Sequence, residues 1–220
     1  MKILFQGDSI TDGNRYKDKQ TRWDKNHQIG HSYAFIVSGE LSMLYPMRFE
    51  FVNRGISGNR TDELIIRWDE DTIAENPDLL IVLVGTNDVN CSVENCAYDV
   101  YGERYYENYR KLLSRARKNN KNLKIVIIEP FAFIEEQEHK EMVPCEFKKQ
   151  KMANVQAKAR QIADEFNAVF IPMQQSFNEL KNLAPAKYWL WDGIHPTEAG
   201  HFHIAKTLIE VLRDMLELKK

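Results

Sequence analysis

Apolar positions along this chain come in two rhythms. Five short runs are dense in Ile, Leu, Val and Phe: KILFQ (2–6), RFEFVN (48–53), DLLIVLVG (78–85), LKIVIIEP (123–130) and AVFIPM (168–173). Such runs predict β-strands. Between them, YAFIVSGELSML (33–44), TDELIIRWDEDTI (61–73) and residues 103–118, 146–166 and 197–217 repeat their apolar positions at helical spacing and predict helices. The run at 78–85 is apolar throughout, as expected of a central strand covered on both faces. This alternation predicts an α/β fold, a three-layer α/β/α sandwich around a five-stranded parallel sheet. No repeat, low-complexity tract or linker interrupts it, so one domain over residues 1–220 is expected. In such sheets ligands bind beyond the carboxyl ends of the strands. GDSIT, NRGISGNRT and GTNDVN follow the first three strands and would gather there. The less regular stretches are 12–30, 86–102, 131–145 and 183–194.

Charge narrows the function classes. The chain has 30 Lys and Arg against 32 Asp and Glu, a formal net charge of −2, which gives no basic field for nucleic acid. The cluster RARKNNKNLK (115–124) reads as a solvated helix end. No apolar stretch approaches the roughly 20 residues that span a bilayer. The apolar run before GDS is too short for a secretion signal, so a cytoplasmic protein without membrane partners is expected. Cys91, Cys96 and Cys145 are odd in number and lack metal or redox spacing, and read as structural thiols. The carboxylates form no metal-ligand spacing, so neither metal nor other cofactor is expected.

Acyl transfer requires a nucleophile, a base, a group that orients the base, and donors for an oxyanion. The G-x-S-x-G elbow of α/β-hydrolases is missing, because GDSIT lacks the second glycine. WDGIHPTEAGH places Asp192 three residues before His195. A tight turn there can bring the carboxylate to Nδ1 and leave Nε2 facing a serine, with Pro196 in the first turn of the next helix. Alone, D-x-x-H is equally a loop acid beside a capping histidine. His201 and His203 read as packing or surface residues of the last helix, and Asp8 as an acid that stabilises a helix start.

Together, GDSIT, GISGNRT, GTND and DGIHP resemble the SGNH branch of the GDSL esterase/lipase family. The resemblance covers roughly residues 2–90 and 185–205, and it implies the flavodoxin-like SGNH hydrolase fold. The four blocks map onto Ser9, Gly55, Asn87 and His195, with Asp192 as the triad acid. By that resemblance Ser9 attacks an ester, His195 shuttles the proton and Asp192 holds the imidazole. The N–H groups of Ser9 and Gly55 and the amide of Asn87 receive the oxyanion. Asp88 is expected to shape a turn behind Asn87, and Arg60 and Thr61 to start a helix.

Substrate signals are sparser. Arg15, Tyr16, Trp23, His31, Trp189 and Trp191 fall in or near the loops and are candidates for a substrate pocket. Trp189 and Trp191 equally suit packing of the triad loop. Aromatic faces among polar groups suit sugar rings, and residues 131–145 are too acidic and polar for an apolar lid. The run WLWDGIHP is similar to the acetylxylan and sugar acetylesterases of the family, which implies an acetylated saccharide as the small-molecule partner. A lysophospholipase- or thioesterase-like hydrolase, an acyltransferase, and a flavodoxin-like module with Asp8 as phospho-acceptor remain alternatives. No coiled-coil pattern marks an interface, and association into a homo-oligomer is left open.

Overall fold

The computed structural model describes residues 1–18, 25–89, 99–137 and 145–218. Five strands form one parallel sheet: β1 (Lys2–Gly7), β2 (Glu50–Asn53), β3 (Leu79–Leu83), β4 (Lys124–Ile128) and β5 (Val169–Ile171), in the order β2-β1-β3-β4-β5. β1 and β3 run in register, with Gly7 opposite Leu83, so they end at one level. The helices are α1 (Ser9–Asp12), α2 (Lys25–Ile29), α3 (Tyr33–Leu44), α4 (Thr61–Trp68), α5 (Thr86–Val89), α6 (Glu103–Asn119), α7 (Cys145–Glu165), α8 (Met173–Leu180), α9 (Ala186–Trp189) and α10 (Glu198–Met215).

Side-chain alternation along the strands separates two cores. Ile3, Phe5, Ile81, Val126 and Ile128 pack with α3 and α10, through Val37, Leu41, Ile204 and Leu208. Leu4, Leu80, Val82, Ile125 and Ile127 pack with α4, α6 and α7, through Trp68, Leu112, Val155 and Ile162. The result is the expected three-layer α/β/α architecture. The chain order turns between β1 and β3: the connection from β1 leads outward to β2, and that from β3 outward to β4. The cleft beyond their carboxyl ends is where such sheets bind ligands.

The long elements fall where the periodicity puts them. The second strand is shorter than its apolar run, starting at Glu50 rather than residue 48. The helix expected over 61–73 is α-helical to Trp68 and then opens into a π-turn, Asp69–Ile73. Pro196 lies outside the last helix: Thr197 is the N-cap, and Pro196 instead bridges to Leu190. Phe131, Ala132, Phe133 and Ile134 are buried, so the start of the 131–145 segment is core rather than polar loop. Cys145 is a free, half-buried thiol, whereas Cys91 and Cys96 lie outside the described residues. Among the described residues no helix is long and apolar enough to cross a membrane.

Candidate active site

β1 ends at Gly7, and the chain turns at once into α1. Asp8 caps that helix, its Oδ1 accepting the N–H of Ile10 at 3.0 Å. Asp8 is only 1% exposed, and burial pushes its carboxyl up to about 7. A phospho-acceptor must be reachable, so Asp8 is unsuited to that role. Ser9, the next residue, is half-buried, and its Oγ lies 2.9 Å from His195 Nε2.

His195 arrives from the far end of the chain on a closed turn. Asp192 Oδ1 accepts the N–H groups of Ile194 and His195 at 2.9 and 2.7 Å, and its Oδ2 lies 2.7 Å from His195 Nδ1. The N–H of Trp191 donates to the carbonyl of His195, and Phe133 donates to that of Gly193, which fixes the turn against the core. Burial works to raise the Asp192 carboxyl, but the backbone and ring donors of His195 and the N–H of Ile194 outweigh it and hold it below the usual range. An ionised carboxylate can only accept, so Nδ1 carries the proton and Nε2 is free to accept from Ser9. The arrangement can generate a serine alkoxide and return a proton to a leaving group.

The donors that would face an oxyanion come from three segments. The N–H of Ser9 has no partner among the described residues. Asn87, in α5 after β3, uses one Nδ2 hydrogen on the carbonyl of Asn59 at 3.2 Å, which leaves its second hydrogen available. Asp88 holds this short helix to the start of α4: its carboxylate accepts the Thr61 hydroxyl at 2.6 Å and the Thr61 N–H at 3.2 Å. That carboxylate is desolvated, which pushes it up to about 7.

Gly55 requires a correction. Its N–H is already donated to Asn53 Oδ1 at 2.8 Å, so it is not available to an oxyanion. It is a glycine because an added Cβ would sit 2.5 Å from the backbone nitrogen of Asp12. Gly58, three residues on, has φ +82°, open space around it and an N–H without a partner among the described residues. It sits one peptide before Asn59, whose carbonyl holds Asn87. Gly58, which sequence reasoning missed, therefore has the geometry of a donor that Gly55 lacks. The signal was Asn53, whose side chain forms a turn with the residue two positions later.

The aromatic and basic candidates separate. Trp191 is 59% exposed and stacks on the His195 imidazole, with ring centres 5.8 Å apart and planes 21° apart. Tyr16 and His31 are exposed, with their N–H groups on His27 and Gly13. Trp189 is half-buried, packs against the core and donates its Nε1–H to the carbonyl of Ala184. Arg15 is 6% exposed, and its Nε donates to the carbonyl of Gly55, so it braces the loop from within rather than lining a pocket. Trp23 lies outside the described residues. His201 accepts the N–H of Tyr33, and burial lowers it to about 4, so it stays neutral near pH 7.

Comparison with known proteins shows the family. The sequence profile of the GDSL-like lipase/acylhydrolase family matches residues 5–202. An acetylxylan esterase of Geobacillus stearothermophilus is 35% identical over 218 residues, covering 94% of this chain and 92% of that protein. The crystal structure of Axe2, an acetylxylan esterase from Geobacillus stearothermophilus, superposes with a TM-score of 0.77 at 32% identity, covering 95% of this chain and 92% of that one. A structure described as a GDSL-like lipase from Parabacteroides merdae superposes at 0.83 with 33% identity, covering 95% of this chain and 94% of that one. The chain belongs to the GDSL-like lipase/acylhydrolase family and is a carboxylic ester hydrolase.

Proposed function

We propose that this protein is a serine esterase that removes acetyl groups from O-acetylated sugars or short xylo-oligosaccharides. The reading is carried by the continuous hydrogen-bonded line Ser9–His195–Asp192. Ser9 Oγ attacks the acetyl carbonyl as His195 Nε2 takes its proton. Asp192 holds the tautomer and stabilises the imidazolium. The oxyanion is received by the N–H groups of Ser9 and Gly58 and by the free Nδ2 hydrogen of Asn87. His195 then protonates the departing sugar hydroxyl, leaving an acetyl group on Ser9. Water, deprotonated by His195, attacks this ester, and acetate leaves as Ser9 recovers its proton.

The substrate class rests on two observations. The acetylxylan esterase relative matches over nearly the whole of both chains. Beside the triad, Trp191 stands as an exposed aromatic platform, a surface suited to a sugar ring. The deciding measurement is kcat/KM on acetylated xylo-oligosaccharides against a chain-length series of simple esters. Preference for the acetylated saccharide is expected, and preference for long acyl chains would overturn this assignment. Ser9→Ala should abolish both turnover and labelling by a serine-reactive phosphonate. Asn87→Ala should lower kcat by about 10²–10³.

A further inference from the structure

Arg67 lies in the last turn of α4, and its side chain is only 13% exposed. Its guanidinium is engaged at every nitrogen. Nε donates to Asn59 Oδ1 at 2.7 Å, Nη1 to the carbonyl of Arg54 at 2.7 Å and to Asp71 Oδ2 at 3.0 Å, and Nη2 to the carbonyl of Gly7 at 3.2 Å. Asp71 supplies the counter-charge. The other acceptors belong to the segments that bring the oxyanion donors together. Gly7 is the last residue of β1, directly before Asp8 and Ser9. Arg54 opens the loop that contains Gly58, and Asn59 follows Gly58. The backbone carbonyl of Asn59 is the acceptor that holds Asn87.

Other bonds also tie this loop to β1 and α1: Ser57 donates its N–H to Asp12 Oδ2 and Arg15 Nε donates to the carbonyl of Gly55, each at 2.9 Å. Arg54 donates its N–H to Phe5, and Ile56 donates to the same Gly7 carbonyl that Arg67 reaches. A guanidinium suits this position because its five donors diverge in one rigid plane. A lysine ammonium projects its donors from a single point and cannot span acceptors on separate segments.

We propose that Arg67 is a positioning residue for ester hydrolysis: by holding Gly7, Arg54 and Asn59 together it sets the spacing of the donors on Ser9, Gly58 and Asn87. The proposal rests on the oxyanion assignment made above. A displacement of about 1 Å at a reacting centre can cost on the order of 10² in rate. The loss belongs in kcat rather than KM, because the donors act on charge that develops only in the transition state.

The test compares Arg67→Lys, Arg67→Ala, Asn59→Ala, Asn87→Ala and the double variant Arg67→Lys/Asn87→Ala on a simple acetyl ester, with thermal unfolding of each. Arg67→Lys should lower kcat by roughly 10–100-fold with KM within about threefold. Asn59→Ala, which breaks one link and leaves the ion pair with Asp71, should lower kcat in the same direction. The double variant should be hardly slower than Asn87→Ala alone, because both changes disable one device. Free guanidinium ion should restore part of the rate to Arg67→Ala, an effect that general loss of stability does not produce. Unimpaired kcat in Arg67→Lys and Asn59→Ala beside an impaired Asn87→Ala would overturn this proposal alone. Losses that multiply in the double variant would also overturn it. Full activity in Asn87→Ala would instead remove the oxyanion assignment, and this proposal with it.

Discussion

Asp8 and Ser9 are neighbours with opposite duties. The hydroxyl of Ser9 reaches His195, while the carboxylate of Asp8 turns back to cap α1 and is buried. Burial raises the Asp8 carboxyl to about 7, above its ordinary value of 3.8, so the fold favours the protonated form. Stability from this group is therefore present below the ordinary value and lost as pH rises through about 7. Asp8→Asn keeps an oxygen acceptor for the Ile10 N–H. Its Tm relative to the parent should climb as pH is raised across that window, by about 2–4 °C per kcal/mol. A difference in Tm independent of pH would count against Asp8 as the source. Trp191 gives a second test at this scale. Trp191→Ala should raise KM for an acetylated xylo-oligosaccharide more than for a small aryl acetate, because only the saccharide is long enough to use the platform.

Elements act here through their ends. α5 is a single turn, Thr86–Val89, and cannot hold Asn87 in place by its own hydrogen bonds. Asp88 ties it to the first residue of α4, and Thr86 Oγ1 donates to Phe131 beyond β4. Thr61→Val keeps the shape but removes the hydroxyl that donates to Asp88. The cost should be about 1–3 kcal/mol, read by denaturant unfolding, with a fall in kcat as Asn87 loosens. Unchanged stability and kcat would show that the remaining Thr61 N–H bond suffices. The triad turn is built differently: Asp192 holds two N–H groups of its own turn, and Phe133 locks that turn from the loop after β4.

Across the whole molecule, the layered fold is legible in the sequence because long apolar runs carry their own period. The five strands and the helices α3, α4, α6, α7 and α10 all announce themselves. The single turns α1, α5 and α9 do not, since four residues are too few to display periodicity. Ser9, Asn87, Asp192 and His195 are legible because each stands in a short motif at a predicted strand end or before a predicted helix. The choice between Gly55 and Gly58 is not, because it depends on which N–H the Asn53 side chain consumes. Arg67 is invisible for a related reason: its acceptors lie on separate segments that meet only in the fold. Buried titratable groups also act together at this scale. His201, lowered to about 4, disfavours acid, whereas Asp8 and Asp88, raised to about 7, disfavour alkali. They oppose each other in acid and only the carboxyls remain near neutrality, so stability should fall as pH rises through about 7, measured as Tm at constant ionic strength.

The hydrogen bond between Ser9 and His195 joins residues 186 positions apart, and so closes the chain nearly end to end. Before the last fifth of the polypeptide has docked, Ser9 can already stand at the end of its strand, but His195 is not yet beside it. Ester turnover thus reports on completion of the chain's closure, whereas circular dichroism reports on the sheet and helices as a whole. Undocking the C-terminal helix from α3 would silence the enzyme while most of its secondary structure persisted. In a urea titration, the midpoint for activity should therefore precede the midpoint for ellipticity, and refolding should regain ellipticity before turnover.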